Sequence, residues 1–267
     1  MIMKFCSLVS LFLACQATAI SATRQHKNAA FFLAGDSTTA IKGGWGNGFI
    51  TTITNGSFGI NYGVSGATTA SFRAQGRWDT VLASVKKAGK LGYSPFVTIQ
   101  FGHNDQKEAS NISIELFTHN LEIFSKEVIA AGGTPVLTTS LTRRAFSLGK
   151  VIENLAQQAN ATIRVAKSLG VPYIDLNRAS TDYINHIGAT LADTYNLTPD
   201  DRTHLNPYGE LLFGTLVSVL IGRTLDQGKW WTKPNVTIAR ALSNGTYILP
   251  TLLPGTTNST APLSWYY

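Results

Sequence analysis

The stretch Pro95-Phe-Val-Thr-Ile-Gln-Phe-Gly-His-Asn-Asp105 runs a nearly unbroken apolar segment into a polar turn. An apolar run of this kind, without alternation, reads as a strand covered on both faces, as in a parallel sheet. Upstream, Ala29-Phe-Phe-Leu-Ala34 has the same character and stops at Gly35. Phe58 to Val64 is a further strand, ending at Ser65-Gly66. Downstream, Thr134 to Ser140 and Val171 to Leu176 complete the set. Between them the apolar spacing becomes helical. Trp45 to Thr54 is a short helix, and Trp78 to Ala88 places Val81, Leu82 and Val85 on one side. Ser113 to Ala131 repeats Leu116, Phe117, Leu121, Phe124 and Val128 before Gly132-Gly133 ends it. Val151 to Leu169, closed by Gly170, and Pro207 to Leu225, with Pro in its first turn, are the remaining helices. Strands separated by helices of this length predict βαβ units and a three-layer α/β/α sandwich around a parallel sheet. Ligands of such sheets bind at the carboxyl ends of the strands.

Composition agrees with one folded domain. The chain has 267 residues, 44% of them hydrophobic and only 14% charged, which excludes a disordered chain or a coiled coil. Residues 1–22 stand apart: Lys4, an apolar stretch from Phe5 to Cys15, then Ala17, Ala19, Ser21 and Ala22 read as a secretory signal peptide. Both cysteines, Cys6 and Cys15, fall inside it. The mature chain therefore offers no disulfide, no thiolate metal ligand and no cysteine nucleophile. Removing Lys4 leaves 21 basic against 15 acidic residues, a net charge of +6. The basic residues are scattered, which argues against a nucleic-acid stripe and is compatible with an ordinary solvated surface or an acidic polymer outside the cell. Sequons at Asn55, Asn111, Asn160, Asn196, Asn235, Asn244 and Asn258 are candidate glycosylation sites on a secreted, extracellular chain. No apolar run after residue 22 is long enough for a membrane span. The expected organisation is signal peptide 1–22, one folded domain 23–229 and a sequon-rich extension 230–267, packed along the domain or partly unstructured.

Every polar motif follows a predicted strand or precedes the last helix. Gly35-Asp-Ser37-Thr38 puts a hydroxyl at the carboxyl edge of the sheet, or is a plain turn with Ser37 as a cap. Gly63-Val-Ser-Gly66 lets a backbone N–H face an open space. Gly102-His-Asn104-Asp105 places an amide donor at the same edge, or forms an Asx-turn. Asp201-Arg-Thr-His204 lets one short turn present a carboxylate and an imidazole together; a helix-capping acid beside an unrelated surface histidine, and a metal site, are the rival readings. A hydroxyl nucleophile needs a base, an orienting acid and donors for tetrahedral charge, and these motifs supply all of them.

These four blocks resemble the SGNH (GDSL-type) hydrolase superfamily. More narrowly, Phe32 to Thr38, Trp45-Gly46, Asn61 to Gly66, Gly76-Arg-Trp78, Phe101 to Asp105 and Asp201-X-Thr-His204 are similar to fungal rhamnogalacturonan acetylesterases. The resemblance spans roughly residues 30 to 225 and implies a flavodoxin-like sheet of about five strands. It implies Ser37 as nucleophile, His204 as base and then acid, and Asp201 as its orienting partner. The N–H groups of Ser37 and Gly66 with the Asn104 side chain would form the oxyanion hole. No metal or other cofactor is required, and a monomer acting on an acetylated acidic polysaccharide, most of all rhamnogalacturonan, is implied. Arg73, Arg77, Arg143 and Arg144 are candidates for contacts with substrate carboxylates. The chain departs from the pattern in lacking disulfides, in a short Asp105–Leu116 segment, and in the loops around Arg143-Arg144 and Thr181 to Pro199. A broad GDSL esterase or lipase, and a glycan-binding protein without catalysis, are the alternatives. Of the other histidines, His119 falls in a helix, His186 lines the substrate loop or faces solvent, and His26 lies in the N-terminal stretch.

Overall fold

In the computed structural model, which describes residues 27–249, strand β1 (Ala29–Gly35) is buried along its whole length. Its side chains alternate between two cores. Phe31 and Leu33 enter one layer with Trp45, Phe49, Phe213, Val217 and Trp231. Phe32 and Ala34 enter the other with Trp78, Val81, Phe124, Val128 and Val165. A strand wetted on neither face can dispense with polar alternation, which is why its sequence is continuously apolar. Each buried ring stabilises the fold by about 1.5–3 kcal/mol. Phe31 alone stacks on Phe96 and meets Phe49 edge-on, both at 5.4 Å between centroids.

The other strands of the sheet are β2 (Phe58–Asn61), β3 (Ser94–Gln100), β4 (Thr134–Thr138) and β7 (Tyr173–Ile174), in the order β2-β1-β3-β4-β7 and all parallel. Helices α2 (Thr69–Ala74), α3 (Arg77–Lys90), α4 (Ile114–Ala130) and α5 (Ala156–Leu169) cover one face. The opposite face is covered by α1 (Gly46–Ile50), α6 (Leu176–Ala192) and α7 (Pro207–Thr224), with α8 (Gly228–Trp231) and α9 (Val236–Asn244) behind them. The expected α/β/α sandwich with its five-stranded parallel sheet is therefore present.

Two local expectations are corrected. Helix α5 begins at Ala156, not Val151, because Phe146–Ser147 (β5) and Lys150–Val151 (β6) pair as a hairpin instead. Its turn residues Leu148 and Gly149 have φ of 49° and 76°, the sense of twist a two-residue hairpin requires. Thr181 to Pro199 is not a loop: α6 runs to Ala192, interrupted only at Gly188, where φ is 77°. The described part of the expected extension, residues 230–249, holds the end of α8 and all of α9 and is packed along the domain, with Trp231 and Ile238 in the same core as Phe31. The expected signal peptide, His26 and the end of the chain from residue 250 lie outside the described residues.

One helix crossing bears on the site. A Cβ on Gly48 would lie 1.9 Å from the Glu210 carbonyl oxygen, and one on Gly214 would lie 2.2 Å from the Gly48 carbonyl carbon. Only glycine permits α1 and α7 to approach this closely. The first helix follows the Ser37 turn and the second follows His204.

Candidate active site

The turn after β1 is held from below by buried polar groups. Gly35 is obligatory, since a Cβ there would meet the Thr39 hydroxyl at 2.3 Å and the Gln100 carbonyl oxygen at 2.6 Å. Asp36, fully buried, accepts through Oδ1 from the Thr38 N–H at 2.9 Å and the Thr38 hydroxyl at 2.8 Å. The Gln100 amide donates to that hydroxyl at 2.6 Å and accepts from the Trp45 indole at 2.6 Å. The other carboxylate oxygen of Asp36 faces Nδ1 of buried His103 at 3.5 Å. Ser37 rides on this turn with its hydroxyl free for a partner outside it.

Burial alone would push the Asp36 carboxyl up, but the adjoining His103 ring and the two Thr38 donors outweigh it and hold the group below its ordinary value of 3.8. A carboxylate depressed in the fold contributes stability above its unfolded value, and that contribution is lost as pH falls through the folded value. Asp201 acts in the same direction, whereas Asp105 and Glu210, raised by burial, act in the opposite one. Asp36→Asn is therefore expected to lower the melting temperature at pH 7, with the deficit narrowing below about pH 4. Thermal melts of both proteins from pH 7 to pH 3 check this; a gap that stays constant contradicts it.

The partner comes from the turn before α7. Asp201 Oδ1 accepts from the N–H groups of Thr203 and His204, both at 2.9 Å. Its Oδ2 lies 2.7 Å from His204 Nδ1, and His204 Nε2 lies 2.8 Å from Ser37 Oγ. A carboxylate only accepts, so Nδ1 carries the ring proton and Nε2 presents a lone pair to the serine hydroxyl. Burial raises the Asp201 carboxyl, but the His204 N–H and ring, with the Thr203 N–H, bring it below the usual carboxylate range. The carboxylate is thus ionised wherever the ring needs a counter-charge. Asn206 caps α7 by accepting from the N–H groups of Tyr208 and Gly209, and Pro207 fills the first helical position. Gly43, at φ +84°, accepts from the Leu205 N–H at 2.9 Å and donates to Glu210 at 2.7 Å. These bonds tie the loop after Ser37 to the turn that holds His204.

The donor side is built from two further loops. The Val64 N–H bonds the Gly35 carbonyl at 3.0 Å, and the Ala67 carbonyl accepts from the Asn104 side-chain amide at 2.9 Å. Gly66 sits between these anchors at φ +78°, exposed, with nothing within 4 Å of a would-be Cβ. Asp105 accepts from the Thr69 N–H at 2.9 Å and its hydroxyl at 2.6 Å, fastening the loop after β3 to the start of α2. Among the described residues, no acceptor takes the N–H of Ser37 or Gly66, and Asn104 keeps a second amide hydrogen. Unused donors on loops bonded to the Ser37 turn are of the kind a developing oxyanion requires.

The arginines divide. Arg144 is 1% exposed and does not face substrate. It donates to the His204 carbonyl at 2.6 Å, to the Asp201 carbonyl at 3.3 Å and to Asn196 at 2.6 Å, bracing the Asp201–His204 turn from behind. Arg73 pairs with Glu127 at 2.6 Å on the outside of α2, and Arg77 is exposed at the start of α3. Arg143 remains at the site: it donates to the Thr203 hydroxyl at 2.6 Å, and Asp36 and Asp201 lie near enough to support its charge against burial. Asn196 is corrected as a glycosylation candidate. It is 5% exposed and its side chain is engaged by Arg144 and Asp193, so no oligosaccharide fits there in the folded chain. Asn55, Asn111, Asn160, Asn235 and Asn244 are exposed; Asn258 lies outside the described residues. His119 is an exposed residue of α4, and His186 is exposed on α6 with its ring on the Asp182 carbonyl. Sequence reasoning missed Gln100, His103 and Thr203 as parts of the site. A glutamine ending so apolar a strand was the one available signal for Gln100.

The model of the GDSL-like Lipase/Acylhydrolase family matches residues 33–212. A curated relative, rhamnogalacturonan acetylesterase RhgT of Bacillus subtilis (strain 168), is 35% identical over 153 residues, 54% of this chain and 63% of that protein. The chain thus spans less than two thirds of that relative. Among solved structures, protein YXIM of Bacillus subtilis superposes with a TM-score of 0.65 at 23% identity, covering 74% of this chain and 57% of that one. Axe2, an acetylxylan esterase from Geobacillus stearothermophilus, gives 0.53 at 15% identity over 74% and 94% of the two chains. Both share the sandwich described above.

Proposed function

We propose, from the premise that the chain belongs to the GDSL-like Lipase/Acylhydrolase family, that it is a secreted serine esterase removing acetyl groups from plant cell-wall polysaccharide, rhamnogalacturonan first. The observation that carries the chemistry is the unbroken relay from Asp201 Oδ2 to His204 to Ser37 Oγ, at 2.7 and 2.8 Å. The name of the curated relative supports the substrate. The exposed sequons at Asn55, Asn111, Asn160, Asn235 and Asn244, the net positive charge and the character of residues 1–22 support secretion.

In this reading His204 Nε2 takes the Ser37 proton as Oγ attacks the ester carbonyl. Negative charge gathers on the carbonyl oxygen, where the N–H groups of Ser37 and Gly66 and the Asn104 amide receive it. His204 then returns the proton to the departing sugar hydroxyl. Water, deprotonated by the same nitrogen, attacks the acetyl-serine, and Ser37 recovers its proton as acetate leaves. Arg143 supplies the cation that a neighbouring uronate carboxylate meets, while Arg144 supports the turn only. Asn104→Ala is expected to lower kcat by about 100- to 1,000-fold with KM little changed. An unchanged kcat would assign Asn104 to the turn alone.

The test of the whole reading is acetate release from acetylated rhamnogalacturonan, homogalacturonan, xylan and p-nitrophenyl esters of rising chain length. Fastest release from acetylated rhamnogalacturonan is expected. A clear preference for long acyl chains replaces this reading with a lipase, and no turnover of any ester, with no fluorophosphonate labelling of Ser37, replaces it with a binding protein. Amino-terminal sequencing of the exported protein checks removal of residues 1–22.

A further inference from the structure

We infer that Lys107 is a positioning residue for the oxyanion hole: its ammonium fixes which way the Asn104 side-chain amide faces. The inference rests on the esterase reading above.

An asparagine side chain presents a donor and an acceptor of nearly the same shape, so its two orientations differ only in what surrounds it. Asn104 is 6% exposed, and two neighbours of opposite character enclose it. The Ala67 carbonyl can only accept, and it takes an Nδ2 hydrogen at 2.9 Å. The Lys107 ammonium can only donate, and it meets Oδ1 at 2.7 Å. The flipped amide would aim an NH₂ at an ammonium and an oxygen at a carbonyl, losing both bonds and setting like partial charges against each other. With the amide held this way, the second Nδ2 hydrogen is the one left over for a carbonyl oxygen above Ser37. The ammonium also polarises the amide, which strengthens that remaining donor.

The lysine is itself placed. Its N–H bonds the Asn104 carbonyl at 3.1 Å, and its own carbonyl accepts from the Ser110 N–H at 2.8 Å. The Ser110 hydroxyl closes the loop onto the Asn104 carbonyl at 2.6 Å. Lys107 is exposed overall, so its side chain bridges from solvent to a buried amide rather than filling a core position.

The decisive experiment uses p-nitrophenyl acetate, which carries no charge, so that a lysine acting on a substrate carboxylate is silent. Lys107→Met is expected to lower kcat about 10-fold with KM within about twofold, and Lys107→Arg to recover most of the loss. In an Asn104→Ala background, Lys107→Met is expected to cost nothing further, because the group it orients is gone. An unchanged kcat in Lys107→Met, an effect confined to KM, a Lys107→Arg no better than Lys107→Met, or an undiminished second loss in the Asn104→Ala background overturns the inference. Wild-type turnover and its loss in Ser37→Ala report separately on the esterase reading. If the wild type turns over and Lys107→Met equals it, only the role of Lys107 falls; if the wild type does not, both fall.

Discussion

Ser37→Ala is expected to lower ester turnover by about 10⁴- to 10⁶-fold while the melting temperature and circular dichroism stay those of the wild type. The size of the effect follows from what is removed. Without Oγ there is no covalent intermediate, and His204 Nε2 has no alcohol proton to take. The alanine keeps the backbone N–H, and Gly66 and Asn104 are untouched, so a residue of catalysis over water persists. The fold tolerates the change because, among the described residues, the one hydrogen-bond partner of the Ser37 hydroxyl is His204. The buried bonds of the turn belong to Asp36, Thr38 and Gln100. Initial rates on p-nitrophenyl acetate, with a fluorophosphonate label read by mass spectrometry, measure it. Retained turnover, or a label elsewhere on the chain, would remove Ser37 from the mechanism.

Asp201→Asn is expected to cost about 10⁴-fold in kcat with the backbone unmoved. The two N–H groups of Thr203 and His204 already claim one oxygen of the carboxylate. An asparagine must keep its oxygen there, which turns its NH₂ toward His204 Nδ1. That nitrogen then has to accept, so the ring proton moves to Nε2 and points at Ser37 Oγ. The serine now faces a donor where it needs a base. The loss lies in the tautomer and not in the position of the ring, so a crystal structure of the variant should overlay on the parent. Loss of activity accompanied by a displaced turn would instead make Asp201 a structural anchor, and a loss of less than about 10-fold would contradict its role.

The sheet and the four polar blocks were legible because the central strands β1, β3 and β4 are buried on both faces and each block sits where a strand or helix must end. Phe32, Phe96 and Val97 admit no other environment, and a glycine or a capping residue marks each boundary. Helix α6 was not legible, since it turns Ser180 and Thr181 inward and breaks at Gly188, so its apolar period is diluted. The hairpin at Phe146–Val151 was masked by Leu148, an unusual residue for a left-handed turn position. Arg144 looked like a surface cation because burial of a guanidinium depends on three backbone carbonyls that only the folded chain assembles. Lys107 was missed for the same kind of reason: an exposed lysine three residues past an asparagine carries no signal until the loop is closed.

The glycine-to-glycine crossing of α1 and α7 has a consequence for how this architecture diversifies. No rotamer lies between those two backbones, so nothing there can slacken and let the serine drift from its base. The exposed surface lies on other parts of the chain, such as the β5–β6 hairpin with its fully exposed Leu148. Exposed segments of that kind can lengthen, shorten or change sign while the proton-relay distance stays as it is. A library confined to such exposed segments should leave the Ser37–His204 distance, and with it the turnover of a small ester, as it is.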